Sequence, residues 1–316
     1  MNYAKIIGCG SYLPKKILTN KDLETSLETT DEWITSRTGI KERHIAGLDE
    51  TTSDLAYQAS LKAIEHAMLD AKDIDLIILA TTTPDKIFPS TACSVQAKLG
   101  IICPAFDIQA VCTGFIYALS IAEKFIKTNA AKKILVIGAD RMSSITDYGD
   151  RTNAILWGDG AGAVIVGSSN KPGILSTHIH ADGKYEELLH VPRKAENKKI
   201  SDTIEMQGNQ VFKFAVNTLD KIVDETLTDN NLTKSDIDWV VPHQANIRIL
   251  EATAKKLEMS MSKVIVTIDK HGNTSAASIP LALDEGVKSG KIKENQTILM
   301  EAFGGGFTWG SALIKY

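Results

Sequence analysis

The sequence has few cysteines, and none is arranged to bind zinc or to form a disulfide framework. Only 4 of the 316 residues are cysteine, namely Cys9, Cys93, Cys103 and Cys112, and no Cys-x-x-Cys pair occurs. Disulfide-rich secreted domains and structural zinc sites both depend on paired cysteines. We therefore expect reduced thiols, a cytoplasmic protein and no bound metal.

Long hydrophobic runs and basic runs are also missing. No stretch approaches the ~18 consecutive apolar residues of a membrane span, and the opening MNYAKIIGCGSYLP lacks the pattern of a secretory signal. The net charge is −4 and there is no basic arm, so we expect no membrane insertion and no nucleic-acid binding. With 43% hydrophobic residues, the composition is typical of a globular α/β protein.

What the sequence does contain is an internal repeat. The segment IDLII at 74–78 resembles IDWVV at 237–241, which lies 163 residues later. The segment ILVI at 134–137 resembles ILME at 298–301, which lies 164 residues later. A nearly constant offset predicts a duplicated unit of alternating strands and helices, with two similar sheets related by a pseudo-twofold axis.

The repeat extends to the turns and divides the chain. Phe106-Asp107, at the end of a predicted strand, is matched by Ile268-Asp269, which we also predict to end a strand. Each half finishes with a glycine-rich turn before a strand, GDGAGAVIVG in the first half and GGGFTWGSALI in the second. We expect halves at 1–170 and 171–316, with the polar stretch 184–210 as a solvated loop between their main elements.

Three reactive side chains occupy comparable places in the two halves. Cys112 lies five residues after Asp107, Asn273 lies four residues after Asp269, and His243 directly follows the predicted strand DWVVP. Each side chain is thus expected at the carboxyl end of a strand, where sites of α/β proteins form. The pseudo-twofold axis is expected to bring them together.

These residue types suit acyl transfer. Cys112 precedes a predicted helix, and a helix N-terminus is expected to lower the pKa of the thiol toward the nucleophilic thiolate. Asn273 cannot act as a base, but its amide can donate hydrogen bonds to a developing oxyanion. A thiolate with His243 and Asn273 predicts acyl transfer followed by stabilisation of an enolate. The other cysteines are interpreted as structural.

Other functions fit these residues to different degrees. GCGSYL lacks the third glycine of a dinucleotide-binding loop, and GDGAGA leads into a strand, so a nicotinamide-dependent oxidoreductase is not expected. A cysteine hydrolase stays open because it too can use Cys, His and Asn. A non-catalytic acyl-binding protein would be expected to lack the nucleophile.

Four motifs together, GDGAGA, VPHQAN, HGNTSAASIP and EAFGGGFTWGSAL, resemble the β-ketoacyl-[acyl-carrier-protein] synthase III family of thiolase-like condensing enzymes. The resemblance covers essentially the whole chain. It implies a five-layer αβαβα fold from two duplicated halves, and a homodimer. It also implies the first condensation of type II fatty acid synthesis, with acetyl-CoA as primer, malonyl-acyl-carrier protein as extender and no cofactor. A related condensing enzyme with another acyl-CoA primer is the alternative.

The resemblance also implies individual roles. Cys112 would be the acylated nucleophile, and His243 and Asn273 would hold the malonyl thioester oxygen. The backbone N–H groups of Cys112 and Gly305 would form the oxyanion hole. Phe88 would close the acyl pocket across the dimer interface and, together with Trp157, would make that pocket small, for a short primer. The implied CoA contacts are Trp33, Arg37, Arg151, Gly208, Asn209, Phe212 and Asn246. The implied carrier-protein contacts are Lys213, Gln244, Arg248, Lys255 and Lys256.

Overall fold

The computed structural model describes residues 2–192 and 202–316. Its strands are β1 (Tyr3–Tyr12), β2 (Lys16–Thr19), β3 (Glu42–Ile45), β4 (Leu76–Ala80), β5 (Ala105–Ile108), β6 (Lys133–Arg141), β7 (Asp159–Ser169), β8 (Ile174–Ala181), β9 (Leu189–His190), β10 (Glu205–Met206), β11 (Trp239–Pro242), β12 (Thr297–Gly304) and β13 (Thr308–Lys315). Its helices are α1 (Asn20–Glu24), α2 (Asp31–Thr38), α3 (Thr52–His66), α4 (Thr91–Leu99), α5 (Gly114–Lys127), α6 (Arg151–Ala154), α7 (Gly208–Asp229), α8 (Ile247–Lys256), α9 (Ile268–His271) and α10 (Ser278–Lys288). Across these two ranges no helix combines the length and apolar character that crossing a bilayer requires.

The two main sheets repeat one topology, which confirms the predicted duplication. The first sheet has the order β1-β7-β6-β4-β5 and the second has the order β8-β13-β12-β11. Ile77 pairs with Leu135 in the first sheet, and Val240 pairs with Leu299 in the second, in the same parallel arrangement. Val264 makes a single parallel bridge to Val240, where a complete strand, β5, pairs with β4 in the first half.

Helices cover the outer faces of both sheets and fill the space between them. The helices α3 and α4 pack outside the first sheet, α7 and α8 pack outside the second, and α5 and α10 lie between the sheets. Strand β4 is buried at every position, as expected for a parallel strand with both faces covered. The five-layer αβαβα arrangement predicted from the motifs is confirmed.

Close packing of the central helices places the candidate residues. Phe115 and Leu119 of α5 and Leu283 of α10 have no exposed surface, because both sheets pack against these two helices. A Cβ atom on Gly138 would lie 2.2 Å from the Ala276 carbonyl oxygen. Glycine at this position of β6 therefore lets the turn before α10 approach the first sheet, which brings the two halves into contact at the carboxyl ends of their strands.

The predicted strand end at Ile268-Asp269 is wrong, because these residues begin the short helix α9. The side-chain oxygen Oε1 of Gln244 accepts hydrogen bonds from the backbone N–H groups of Thr267 (2.9 Å) and Ile268 (3.1 Å). A backbone N–H group that is bound in this way does not pair with a neighbouring strand. The local apolar pattern could not reveal this contact with a residue more than 20 positions earlier.

The polar stretch 184–210 is more than the solvated loop that we predicted. Residues 193–201 lie outside the described residues. On either side of them, β9 and β10 pair in an antiparallel manner, and α7 begins at Gly208. Leu189 of β9 and Met206 of β10 both line the cavity that contains Cys112, so this stretch supplies part of its wall.

Candidate active site

Cys112, His243 and Asn273 lie on three separate connections. Cys112 is in the 3₁₀ turn Val111–Thr113, between β5 and α5. His243 directly follows β11, and Asn273 follows α9. All three side chains line one cavity of about 700 Å³. The structure therefore brings together the three residues that the sequence repeat placed at strand ends.

Two turns of unusual backbone conformation lie beside this cavity. Val111 has a φ of 48° and Ser275 has a φ of 50°, and the two residues are 164 positions apart, at equivalent places in the two halves. A β-branched residue such as Val111 rarely adopts a positive φ, because its side chain is crowded by the backbone. The strain lies immediately before Cys112, and the surrounding packing has to maintain it.

The Cys112 thiol is buried, with only 4% of the residue exposed. Burial is the largest of the causes that raise the pKa of Cys112 to about 12; the Asp140 carboxylate acts in the same direction, and the Ser275 hydroxyl opposes both. The predicted lowering of this pKa is therefore wrong for the resting protein. The helix α5 begins two residues later, at Gly114, and loss of water around the thiolate outweighs the helix dipole.

The glycine-rich turn after β12 touches the backbone beside Cys112. A Cβ atom on Gly304 would lie 2.8 Å from the backbone nitrogen of Cys112, so glycine is required for this approach. The Thr308 hydroxyl donates to the Ala110 carbonyl oxygen (3.0 Å), and the Thr113 hydroxyl donates to the Thr308 carbonyl oxygen (3.1 Å). These bonds hold the two backbone segments together, and the turn includes the predicted donor Gly305.

His243 and Asn273 are held by residues at the start of α10. Nδ1 of His243 lies 2.7 Å from the Ser278 hydroxyl oxygen, and burial lowers the pKa of His243 to about 3, so the ring is neutral near pH 7. Oδ1 of Asn273 accepts a hydrogen bond from the backbone N–H of Ser275 (2.9 Å). The Nδ2–H₂ end of the Asn273 amide is then the end available to a ligand. The cavity thus combines a nucleophile with two groups able to donate hydrogen bonds.

Farther along the cavity, an aromatic ring has two guanidinium groups close to it. The Trp33 ring centroid is 5.5 Å from Cζ of Arg37 and 5.0 Å from Cζ of Arg151. Arg151 also donates to the Glu28 carbonyl oxygen at 2.7 Å. A planar ring beside two cations can stack on a nucleobase and bind phosphate groups.

The cavity includes six of the seven predicted CoA contacts. The exception is Arg151, which touches Trp33 while its neighbour Thr152 lines the cavity. Asn246 caps α8: its Oδ1 accepts from the Arg248 backbone N–H, and its Nδ2 donates to the Arg37 carbonyl oxygen, both at 3.0 Å. The lining residues among the predicted contacts are Trp33, Arg37, Gly208, Asn209, Phe212 and Asn246.

The two predicted acyl-pocket residues lie in different surroundings. Trp157 is 3% exposed, lines the cavity, and forms a backbone bridge with Asn273. Phe88 is 82% exposed and is not among the residues lining the cavity in the described part of the chain. A single chain therefore does not close its acyl pocket with Phe88, and a role in closure requires a second copy.

Of the basic residues predicted to contact a carrier protein, three are exposed and one is paired with aspartates of the same chain. Lys213, Arg248 and Lys255 are exposed, and the first two line the cavity. Lys256 forms ion pairs with Asp220 (3.1 Å) and Asp224 (2.7 Å). These two aspartates neutralise much of its charge within the chain, so Lys256 offers a weaker attraction to an acidic partner than the sequence suggested.

The prediction that Gln244 contacts a carrier protein is wrong. The residue is 1% exposed, and Nε2 donates to the carbonyl oxygens of Pro242 (2.8 Å) and Ile265 (3.0 Å). Because Oε1 accepts from Thr267 and Ile268, the whole amide is used inside the protein. Gln244 holds the connection that carries His243.

The hydroxyl residues that fix this site were not predicted from the sequence. Thr113 and Thr308 join the two backbone segments near Cys112, and Ser278 contacts His243. A signal was present: Ser275 and Ser278 are small polar residues in HGNTSAASIP, directly before an apolar helix. Small polar residues just before a helix can form hydrogen bonds with neighbouring groups.

Sequence models of one family match both halves of the chain. The model described as 3-oxoacyl-[acyl-carrier-protein (ACP)] synthase III matches residues 106–183, and its C-terminal counterpart matches residues 227–316. The chain is 62% identical to the β-ketoacyl-[acyl-carrier-protein] synthase III of Thiobacillus denitrificans over 319 residues. It is 59% identical to that of Thioalkalivibrio sulfidiphilus over 322 residues. Each alignment covers 100% of both proteins.

Solved structures of the same family are also similar to this chain. The 3-oxoacyl-[acyl-carrier-protein] synthase III of Aquifex aeolicus superposes with a TM-score of 0.94 at 51% identity, covering 99% of this chain and 100% of that one. The corresponding enzyme of Pseudomonas aeruginosa has a TM-score of 0.94 at 38% identity, with coverage of 99% and 98%. OleA of Xanthomonas campestris, at 21% identity and a TM-score of 0.89, shares the fold.

Proposed function

This chain belongs to the β-ketoacyl-[acyl-carrier-protein] synthase III family, and we propose that it condenses acetyl-CoA with malonyl-acyl-carrier protein. The products are acetoacetyl-acyl-carrier protein, CoA and carbon dioxide, and the reaction initiates fatty acid synthesis. One observation carries the proposal: a single cavity joins Cys112, His243 and Asn273 to the Trp33–Arg37 end. A thioester can therefore bind along it with its acyl group at the nucleophile.

In the first step, sulfur of Cys112 attacks the thioester carbonyl of acetyl-CoA. The S–C bond to Cys112 forms, the bond to the CoA sulfur breaks, and the thiol proton ends on CoA. Backbone N–H groups of Cys112 and Gly305 hold the oxyanion, because the turn containing Gly305 meets the Cys112 backbone. The raised pKa of Cys112 means that the proton leaves during substrate binding or attack, and is not already absent from the resting thiol.

In the second step, His243 and Asn273 donate hydrogen bonds to the thioester oxygen of the malonyl group. Loss of carbon dioxide leaves an enolate, whose negative charge these donors stabilise. The enolate carbon attacks the acetyl carbonyl, a carbon–carbon bond forms, and the bond to Cys112 breaks. The Cys112 thiolate then takes up one proton. A neutral His243 suits this step, because the ring donates a hydrogen bond and does not need to carry charge.

We propose that the Trp33 end binds the nucleotide part of CoA. Trp33→Ala should raise KM for acetyl-CoA by roughly tenfold, since loss of one base–aromatic stack costs about 1–3 kcal/mol, and should change kcat little. The measurement is steady-state condensation at fixed carrier-protein concentration. Acetyl-N-acetylcysteamine, a thioester without the nucleotide, is the matched control, and Trp33→Phe should have a smaller effect. Equal losses with both thioesters would contradict the assignment.

The partners follow from exposed residues. Lys213 and Arg248 line the cavity and Lys255 is exposed on α8, and these positive charges suit an acidic carrier protein. The edge strand β5 has a partner on one side only within the first sheet, and Phe88 is exposed; both features suit a homodimer in which Phe88 enters the partner's acyl pocket.

We also propose that the two halves of the chain divide at residue 170, and we expect the protein in the cytoplasm.

The direct test is reconstitution with purified acetyl-CoA and malonyl-acyl-carrier protein. We expect acetoacetyl-acyl-carrier protein by intact-mass spectrometry, with one equivalent each of CoA and carbon dioxide. Release of free acetate without a condensation product would support a cysteine hydrolase. Condensation only with branched or longer acyl-CoA would identify a related condensing enzyme with another primer.

A further inference from the structure

Ser278, the first residue of α10, makes two hydrogen-bond contacts at His243 and its neighbour Gln244. The residue is 1% exposed. Its hydroxyl oxygen accepts a hydrogen bond from the Gln244 backbone N–H at 3.0 Å, and it lies 2.7 Å from Nδ1 of His243. Both distances are typical of well-formed hydrogen bonds. One buried hydroxyl therefore links the residue after His243 to the imidazole ring itself.

These contacts determine where the protons lie. A backbone N–H can only donate, so the Ser278 oxygen is an acceptor toward Gln244. The hydroxyl has a single proton, and Nδ1 of His243, 2.7 Å away, is able to accept it. If Nδ1 carried the proton instead, the buried hydroxyl hydrogen would need another acceptor or would be left unpaired, which is costly. The favoured arrangement has Nδ1 as acceptor, so the neutral ring carries its proton on Nε2.

We propose that Ser278 is a positioning residue that keeps His243 in the Nε2–H tautomer and points this N–H at the thioester oxygen of the malonyl substrate. The proposal rests on the proposed function, because it concerns the decarboxylation step of that same site. In the other tautomer the Nε2 lone pair would face the oxygen, and a lone pair repels an enolate that a donor would stabilise.

The contacts of Gln244 hold the backbone around His243, whereas Ser278 contacts the imidazole ring itself. Gln244 ties the His243 connection to Pro242 and Ile265, so the backbone on either side is held. The same turn orients the second donor, because the Ser275 backbone N–H binds Oδ1 of Asn273. Residues 275–278 thus set the directions of both donors, one through a backbone N–H and the other through the Ser278 hydroxyl.

The first test separates the two half-reactions. Ser278→Ala should lower the rate of malonyl decarboxylation and condensation by roughly 10- to 100-fold, by analogy with the loss of partners that orient metal-binding histidines. Acetylation of Cys112 by acetyl-CoA should stay within about twofold, because the hydroxyl does not take part in that step. Ser278→Thr keeps a hydroxyl and should recover much of the loss. Ser289→Ala, at the other end of α10, is the matched control and should change neither step.

The second test reads the tautomer directly and does not depend on a variant that folds. The ¹⁵N shifts of His243 in the labelled wild-type protein should show the Nε2–H form at pH 7, and Ser278→Ala should shift them toward a mixture. An Nδ1–H wild-type ring, or unchanged shifts and decarboxylation in Ser278→Ala, would overturn the proposal. If the wild type fails to condense while its ring is Nε2–H, the proposed function fails and the tautomer assignment stands.

Discussion

Replacing Cys112 with alanine is expected to abolish the acetylation of this protein by acetyl-CoA. The wild type should gain one acetyl group on the peptide that contains Cys112, and the variant should gain none. Condensation should fall to background, roughly 10⁴-fold or more, because removal of a covalent nucleophile leaves only binding and oxyanion stabilisation. Intact-mass and peptide mass spectrometry without carrier protein give the measurement.

The control for this experiment is a cysteine outside the cavity. Cys103→Ala removes a half-buried thiol that does not line the cavity, and it should leave acetylation unchanged. An acetylated Cys112→Ala variant would contradict the nucleophile assignment.

The raised pKa of Cys112 also predicts the pH dependence of the resting thiol. Since a pKa of about 12 leaves only a small thiolate fraction near neutrality, that fraction grows about tenfold with each pH unit well below the pKa. Alkylation of Cys112 by a small reagent should therefore accelerate steadily from pH 7 to 9. A rate that levels off near pH 7 would show instead that the thiol is already ionised.

His243→Ala and Asn273→Ala should each block decarboxylation while leaving acetylation of Cys112 intact. Loss of one oxyanion donor costs on the order of 10²- to 10³-fold, and these donors act only on the malonyl oxygen. The measurement compares acetyl transfer, followed by mass, with carbon dioxide release from malonyl-acyl-carrier protein.

The matched control is a histidine of the second sheet. His178→Ala alters a partly buried histidine on β8 that pairs with Glu225 and does not line the cavity, so both half-reactions should persist. The double variant of His243 and Asn273 should lose less than the product of the single losses, because both groups bind one oxygen. Normal carbon dioxide release in either single variant would refute the assigned roles.

Much of the fold was predictable because its signals are local and occur twice. The segments around Ile77 and Val240 have the same apolar pattern, and they form equivalent strands of the two sheets. The reduced counterpart of β5 in the second half was not predictable. It consists of one bridge at Val264, and the chain forms the helix α9 a few residues later. A side chain from Gln244 causes that change.

The site was partly predictable for a related reason. The repeat predicted that Cys112, His243 and Asn273 would lie close together, and all three line one cavity, although Asn273 follows the helix α9 and not a strand. The direction of the Cys112 pKa shift was not predictable, since it depends on how completely other segments exclude water from the thiol. The resemblance implied that Gln244 and Lys256 contact a carrier protein, yet the first is buried and the second is paired within the chain.

The sequence by itself determined the duplicated α/β architecture, the family and the three reactive side chains, because periodicity, repeat order and motif residues are properties of the linear chain. Only the tertiary structure decided that burial raises the pKa of the Cys112 thiol, that Gln244 is internal, and that Ser278 contacts His243. Those outcomes depend on burial and on hydrogen bonds between segments far apart in the chain, such as the 35 residues that separate His243 from Ser278. The free energies of burial and of these buried hydrogen bonds arise only when the two halves have packed together.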